Sequence, residues 1–95
     1  MPFYVYIITN RKEGTLYIGY SNHLKKRMIK HKNGTGSKFA SRYALDKLVD
    51  YEKYKFPMSA IRREKQLKKW NRQWKINLIN DFNPDWENLT WFFND

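Results

Sequence analysis

The chain has 95 residues, 41% of them hydrophobic, and no cysteine, which allows one small core and excludes disulfides and thiolate chemistry. Nineteen Lys and Arg against nine Asp and Glu give a formal net charge of +10. The natural partner of such a charge is a polyanion, because each phosphate it neutralises releases condensed counterions. No apolar run approaches the roughly 18 residues of a membrane span and no signal-peptide pattern opens the chain, so one cytoplasmic domain over residues 1–95 with no membrane partner is expected.

In chain order, Phe3 to Thr9 is β-branched and aromatic, Asn10 to Glu13 is a charged turn closed by Gly14, and Gly14 to Tyr20 repeats the strand pattern. This predicts an antiparallel hairpin. With partner numbers summing to 23, Tyr6 stands directly across from Tyr17, on a face with Tyr4, Ile8, Thr15 and Gly19. The opposite face, Phe3, Val5, Ile7, Leu16, Ile18 and Tyr20, is then the core face. Asn22 caps a helix over His23 to Lys32 that turns Leu24 and Met28 inward, and Asn33-Gly34 ends it.

Ser37 to Tyr43 reads as a short helical turn within a loop, and Lys47 to Tyr54 as a third strand. Val49, Tyr51 and Lys53 share one of its faces and Leu48, Asp50, Glu52 and Tyr54 the other, so neither declares itself the core face and an edge position fits. Pro57 opens a helical stretch from Met58 to Asp81 with a break expected at Trp70 to Arg72. Its apolar stripe is Ile61, Leu67, Trp70, Trp74, Leu78, Ile79 and Phe82. Asn83-Pro84 stops it, and Asp85 to Asp95 is expected to fold back over the core through Trp86, Leu89, Trp91 and Phe92.

Two features stand out from this scaffold. Arg27 and His31 are four apart and share a helix face bordering Leu24 and Met28, among Lys25, Lys26, Lys30 and Lys32. A solvated basic face is the plain alternative. Glu64 is the second feature: three after Ile61 and three before Leu67, it falls within the buried stripe and needs a cation, a metal or a gap around it. A salt bridge to Arg27, Arg63 or a lysine is the plain explanation there.

Together these are the parts of a phosphodiester-hydrolysis site. Glu64 can hold one divalent ion against a phosphate oxygen, and Arg27 can offset charge growing in the transition state. The base is Tyr6, Tyr17 or His31, and a tyrosine of ordinary pKa around 10 qualifies only where cations stabilise its phenolate. With no thiol and two histidines, any metal is a hard, oxygen-liking one such as Mg²⁺ or Mn²⁺. Lys25, Lys26, Lys30, Lys38 and Arg42 are candidate phosphate contacts.

These residues resemble the GIY-YIG endonuclease superfamily: Tyr4-Val5-Tyr6, then Tyr17-Ile18-Gly19 after ten intervening residues, then Arg27, His31 and Glu64. Gly14 to Tyr20, Ser37-Lys38-Phe39, Ala60 to Leu67 and Asn83-Pro84 resemble its small single-domain bacterial members, including those described as UvrC-like, over nearly the whole chain. The resemblance implies an α+β fold, a three-stranded antiparallel sheet (hairpin plus third strand) flanked by helices, and metal-dependent DNA cleavage using one Mg²⁺ or Mn²⁺. By motif, Tyr6 and Tyr17 are its catalytic tyrosines, Arg27 its catalytic arginine and Glu64 its metal ligand, while His31 falls where members carry Tyr or His. The family's late asparagine falls on Asn77, Asn80 or Asn83, with Asn83 preferred, and Tyr4 replaces the first motif glycine.

Family members commonly add a separate specificity domain, and none is read here. The expected partner is therefore DNA, duplex, branched or damaged, bound through its phosphates in repair or recombination by a monomer or weak homodimer. A partner protein would supply specificity. A module that retains the nuclease fold and binds nucleic acid with little or no turnover is the alternative, and a basic protein-interaction domain a third reading.

Overall fold

A computed structural model describes residues 2–92 and builds them around one antiparallel sheet. Its central strand is β1 (Phe3–Thr9), with β2 (Leu16–Ser21) on one side and β3 (Lys47–Tyr54) on the other. Helices α1 (Leu24–Lys32) and α2 (Lys38–Arg42) lie in the connection from β2 to β3. Helices α3 (Pro57–Lys69) and α4 (Arg72–Phe82) follow β3, and a 3₁₀ turn over Leu89–Phe92 packs beside β3. This is the α+β fold that the resemblance implies.

A central strand with helices on both sides must bury both of its faces, and this corrects the reading that gave the hairpin a single core face. Tyr4, Tyr6 and Ile8 join Leu24, Met28, Ala40, Leu45 and Leu48 between the sheet and α1 and α2. Val5 and Ile7 join Ile18, Val49, Ala60, Leu67, Ile76, Ile79 and Trp86 on the side of α3 and α4. Every residue from Tyr4 to Thr9 is buried.

The hairpin register also differs from the expectation. Partner numbers sum to 25, so Tyr6 pairs with Gly19, and Tyr17 with Ile8. A slip of two residues leaves every side chain on the face it was assigned. The connection causes the slip, running from Asn10 to Thr15 with Gly14 N–H donating to the Arg11 carbonyl at 2.9 Å and Thr15 N–H to Asn10 Oδ1 at 3.2 Å. In this register the Tyr6 ring lies over a residue without a side chain.

β3 is an edge strand, and a bulge explains its ambiguous pattern. Ile7 pairs with Asp50 but Ile8 with Leu48, leaving Val49 as the extra residue. Leu48 therefore packs toward α1 and α2 and Val49 toward α3 and α4. The extra residue also makes demands on the backbone, and Asn83 meets one of them by donating to the Val49 carbonyl at 3.0 Å. The same amide donates to the Glu87 carbonyl at 2.9 Å and accepts from Glu87 N–H at 3.1 Å, which holds the tail against β3.

The helix boundaries follow local chemistry. α1 begins at Leu24, one residue later than read: Asn22 is not its cap, and Ser21 Oγ accepts from His23 N–H at 3.0 Å instead. Ser37 Oγ caps α2 through Ala40 N–H at 3.3 Å. The break falls at Trp70 and Asn71, where Asn71 Oδ1 caps α4 through Trp74 N–H at 2.9 Å. The stripe is narrower than expected, since Trp74 and Phe82 are about half exposed while Ala60 and Ile76 take buried positions. Trp86 covers the core but Trp91 and Phe92 stay exposed, and the expected contribution of residues 93–95 lies outside the described residues.

Asp50, directly after the bulge, is 2% exposed with no hydrogen-bond partner on Oδ2. Burial and then the charge of Glu52 push its carboxyl up to about 8, with Arg63 opposing. In the unfolded chain this group ionises in the ordinary carboxylate range, so its stability contribution is full at acid pH and is lost as pH rises toward 8. Urea denaturation at two pH values checks this: Asp50→Asn should exceed the native chain by roughly 1–3 kcal/mol at pH 8 and lose the advantage at pH 4.

Candidate active site

The site starts from a buried hydroxyl. Tyr6 lies in the middle of β1 at 1% exposure, and a phenol so placed needs a hydrogen-bond partner. It finds one in His31 Nε2 at 3.0 Å. His31 is itself buried on α1, one helical turn after Arg27. Tyr17 on β2 stands edge-on to the imidazole with ring centroids 5.8 Å apart, and it is only partly buried.

Two glycines make this packing possible. A Cβ at Gly19 would lie 2.3 Å from Tyr6 Oη, and a Cβ at Gly36 would lie 2.5 Å from His31 Nδ1. Gly19 seats the tyrosine and Gly36 seats the histidine, each because a methyl group there would occupy the space of a ring.

Burial dominates the electrostatics of the pair. It raises the Tyr6 phenol far above its ordinary value, with smaller upward pushes from Tyr17 and Glu64, and Arg27 opposes without overcoming it. It lowers the His31 imidazole, and Arg27 adds to the effect. At neutral pH the pair is an intact phenol and a neutral imidazole. The condition for a tyrosine base, a phenolate held by cations, is therefore unmet at Tyr6, whose own burial works against it.

Glu64 comes from α3, which packs on β1 and β2. It stands between buried Ala60 and Leu67 with a fifth of its side chain exposed, and its charge reaches Tyr6. Its ion partner is Lys68 at 3.6 Å, an exposed i,i+4 pair of small worth. Of the salt bridges anticipated for it, those to Arg27 and Arg63 do not form: Arg63 holds Glu52 through Nε at 2.8 Å and Nη2 at 3.1 Å.

Among the described residues no three His, Asp or Glu gather as a metal cluster. A lone, partly exposed carboxylate suits Mg²⁺ or Mn²⁺, which keep much of their water shell and draw remaining ligands from substrate phosphate. Such a donor set fits an ion that arrives with substrate.

The basic candidates fall on different surfaces. Lys26 and Lys30 line a small pocket with Arg27, Ser21, Asn22 and His23. Lys38 and Arg42 border a polar concavity with Gly34, Thr35, Gly36 and Ser37. Lys25 instead lines a groove with Ile29, Lys32, Asp46 and Trp91. Asn83 is engaged by β3 and the tail, Asn77 accepts from Gln73 at 2.9 Å, and Asn80 from Trp86 Nε1 at 2.7 Å. Sequence reasoning gave no site role to Gly36 or to Phe39, which packs on Tyr17; their placement rests on contacts between distant segments that no local pattern announces.

The small α+β fold thus carries a buried Tyr–His pair, a second tyrosine, an arginine one turn from the histidine and a lone carboxylate from another helix. The family model of the GIY-YIG catalytic domain matches residues 2–77, and the chain belongs to that family. It is 38% identical over 78 residues to a UPF0213 protein of Staphylococcus saprophyticus, spanning 82% of this chain and 94% of that one. It is 40% identical over 76 residues to a UPF0213 protein of Clostridium perfringens, spanning 80% and 81% of the two chains. The solution NMR structure of a UPF0213 protein from Bacillus halodurans matches over the full length of both chains, with a TM-score of 0.58 and 29% identity. Tyr6, Tyr17, Arg27, His31 and Glu64 fall inside the matched residues, and Asn83 beyond them.

Gly19→Ala should force Tyr6 away from His31. The expected outcome is a changed imidazole nitrogen chemical shift at His31 and a loss of about 1–3 kcal/mol in urea denaturation, the usual result of overpacking.

Proposed function

We propose that this chain is a metal-dependent DNA endonuclease that selects structure rather than sequence. The observation supporting this most directly is the buried Tyr6–His31 hydrogen bond, placed beside Tyr17 and within electrostatic reach of Arg27 and Glu64. A neutral imidazole already bonded to a phenol is a ready proton acceptor. His31 takes the Tyr6 proton while the Tyr6 oxygen takes one from the attacking water, so hydroxide is delivered without a free phenolate.

Arg27 offsets the charge that develops on the phosphate. Tyr17, the more accessible tyrosine, orients the substrate. Glu64 would hold one Mg²⁺ or Mn²⁺, an ion that when bound neutralises charge on the phosphate oxygens. Lys26 and Lys30 flank Arg27 and contact neighbouring phosphates, which position a strand but carry no sequence information. Such cleavage suits DNA repair or recombination, with a partner protein directing it.

Incubation with duplex, flap, fork and single-stranded DNA should show nicking that requires Mn²⁺ or Mg²⁺ and stops with EDTA. Glu64→Ala should abolish it with the circular dichroism spectrum unchanged, and Arg27→Ala should lower the rate by about 10²–10³-fold. Cleavage persisting in Glu64→Ala removes that residue as the metal ligand. Salt-steep DNA binding without cleavage on any substrate would favour a module that only binds.

The pH dependence of cleavage follows from His31, which must be neutral to accept a proton. Its pKa is depressed below the ordinary histidine value, so the rate should be flat from pH 7 to 8. It should fall about tenfold per unit only below that depressed value. A rate that declines on raising the pH from 7 to 8 would sink the relay.

A further inference from the structure

An aromatic ladder runs out from His31 and Tyr17 to Phe39 and Tyr43, which have no role in the steps above. From the reactive centre outward, the His31 and Tyr17 rings lie 5.8 Å apart, Tyr17 stacks on Phe39 at 6.1 Å, and Phe39 meets Tyr43 at 4.9 Å. Phe39 is 45% exposed and Tyr43 41%. Packing on Tyr17 occupies one side of Phe39, and the exposure of both rings leaves a surface the core does not use.

Phe39 on α2 and Tyr43 at its C-cap are four residues apart, and beside them Lys38 and Arg42 are also four apart. Neither cation has an ion pair among the described residues, and Arg42 lies 5.7 Å from the centre of the Tyr43 ring. No carboxylate occurs from Asn33 to Leu45. Lys38 and Arg42 border the polar concavity formed with Gly34 to Ser37. One short helix thus carries two adjoining surfaces, one for a flat uncharged ring and one for an anion.

We infer that α2 seats an unpaired nucleotide next to the phosphate to be cleaved, its base stacking on Phe39 and Tyr43 and its phosphate meeting Lys38 and Arg42. The inference rests on the nuclease reading for the position of the scissile phosphate. A base within a duplex has both faces covered by its neighbours, so an aromatic platform accepts only a base out of the stack. Because Phe39 adjoins Tyr17, that base belongs to the nucleotide beside the reaction. The substrate class is therefore DNA with an unstacked base at the cut, as in a flap, a bulge or a junction of single and double strand. Every base offers a π-face, so the seat selects structure without reading sequence.

The test measures binding in EDTA, apart from catalysis. The probes are a short single-stranded oligonucleotide carrying 2-aminopurine and a blunt duplex. Phe39→Leu, which keeps bulk and removes the π-face, should weaken single-strand binding about tenfold and reduce the fluorescence change, while duplex binding stays within about twofold. Phe39→Trp should restore it. Tyr43→Leu, more peripheral, is the second variant should Phe39→Leu fold poorly, with the same pattern expected. Lys38→Gln should lower the salt slope on the single strand by about one unit. Equal loss on both probes, or no loss in either leucine variant, overturns the seat.

The two readings fail separately. Phe39-dependent single-strand binding with no metal-dependent cleavage overturns the nuclease and leaves the seat. Cleavage that proceeds equally on flap and blunt duplex, in the native chain and in Phe39→Leu, overturns the seat and leaves the nuclease.

Discussion

A phenol hydroxyl buried at the centre of the central strand is the constraint around which this molecule is arranged. Tyr6 Oη lies on a side chain only 1% exposed, and His31 Nε2 at 3.0 Å gives it a hydrogen-bond partner. Meeting that need sets several other features. α1 must lie with its His31 face on the sheet, β2 must offer a residue without a side chain opposite Tyr6, and the loop after α1 must do the same behind His31. Gly19 and Gly36 meet the last two conditions. The hydrogen bond thus joins β1 to α1 across 25 positions of sequence and specifies what the intervening segments can be.

The same burial shapes the chemistry. Removing Tyr6 and His31 from water disfavours the charged form of each, raising one pKa and lowering the other. What results is a neutral hydrogen-bonded pair. Arg27 and Glu64 supply opposite charges from helices that pack on opposite faces of the sheet, and the influence of both reaches Tyr6. Beside Tyr17, α2 adds aromatic and cationic surface through Phe39, Lys38 and Arg42.

Much of this was legible in the sequence. Seven β-branched and aromatic residues from Phe3 to Thr9, Pro57 at a helix start and a gap in helical pattern near Trp70 are local signals that the structure reproduces. The apolar stripe of the last two helices was legible only in part, because tryptophan and phenylalanine fit a stripe whether or not the core covers them, and Trp74 and Phe82 are left about half exposed. The anomaly at Glu64 survives in milder form: the carboxylate is in the stripe yet partly open, with Lys68 as a loose companion. Asp50 escaped notice because its burial depends on the bulge at Val49, which alternation along β3 does not reveal.

By itself the sequence determined which segments are strands and helices and the motif spacing that places the chain in the GIY-YIG family. These are consequences of backbone propensity, caps and side-chain identity, each readable within a few residues. Only the tertiary structure decided the pairing of Tyr6 with Gly19 and His31, the burial of both faces of β1, the neutrality of the Tyr–His pair and the exposure of Phe39. Each depends on how many distant atoms crowd a group and exclude water from it, a sum over the whole fold that no local stretch of sequence contains.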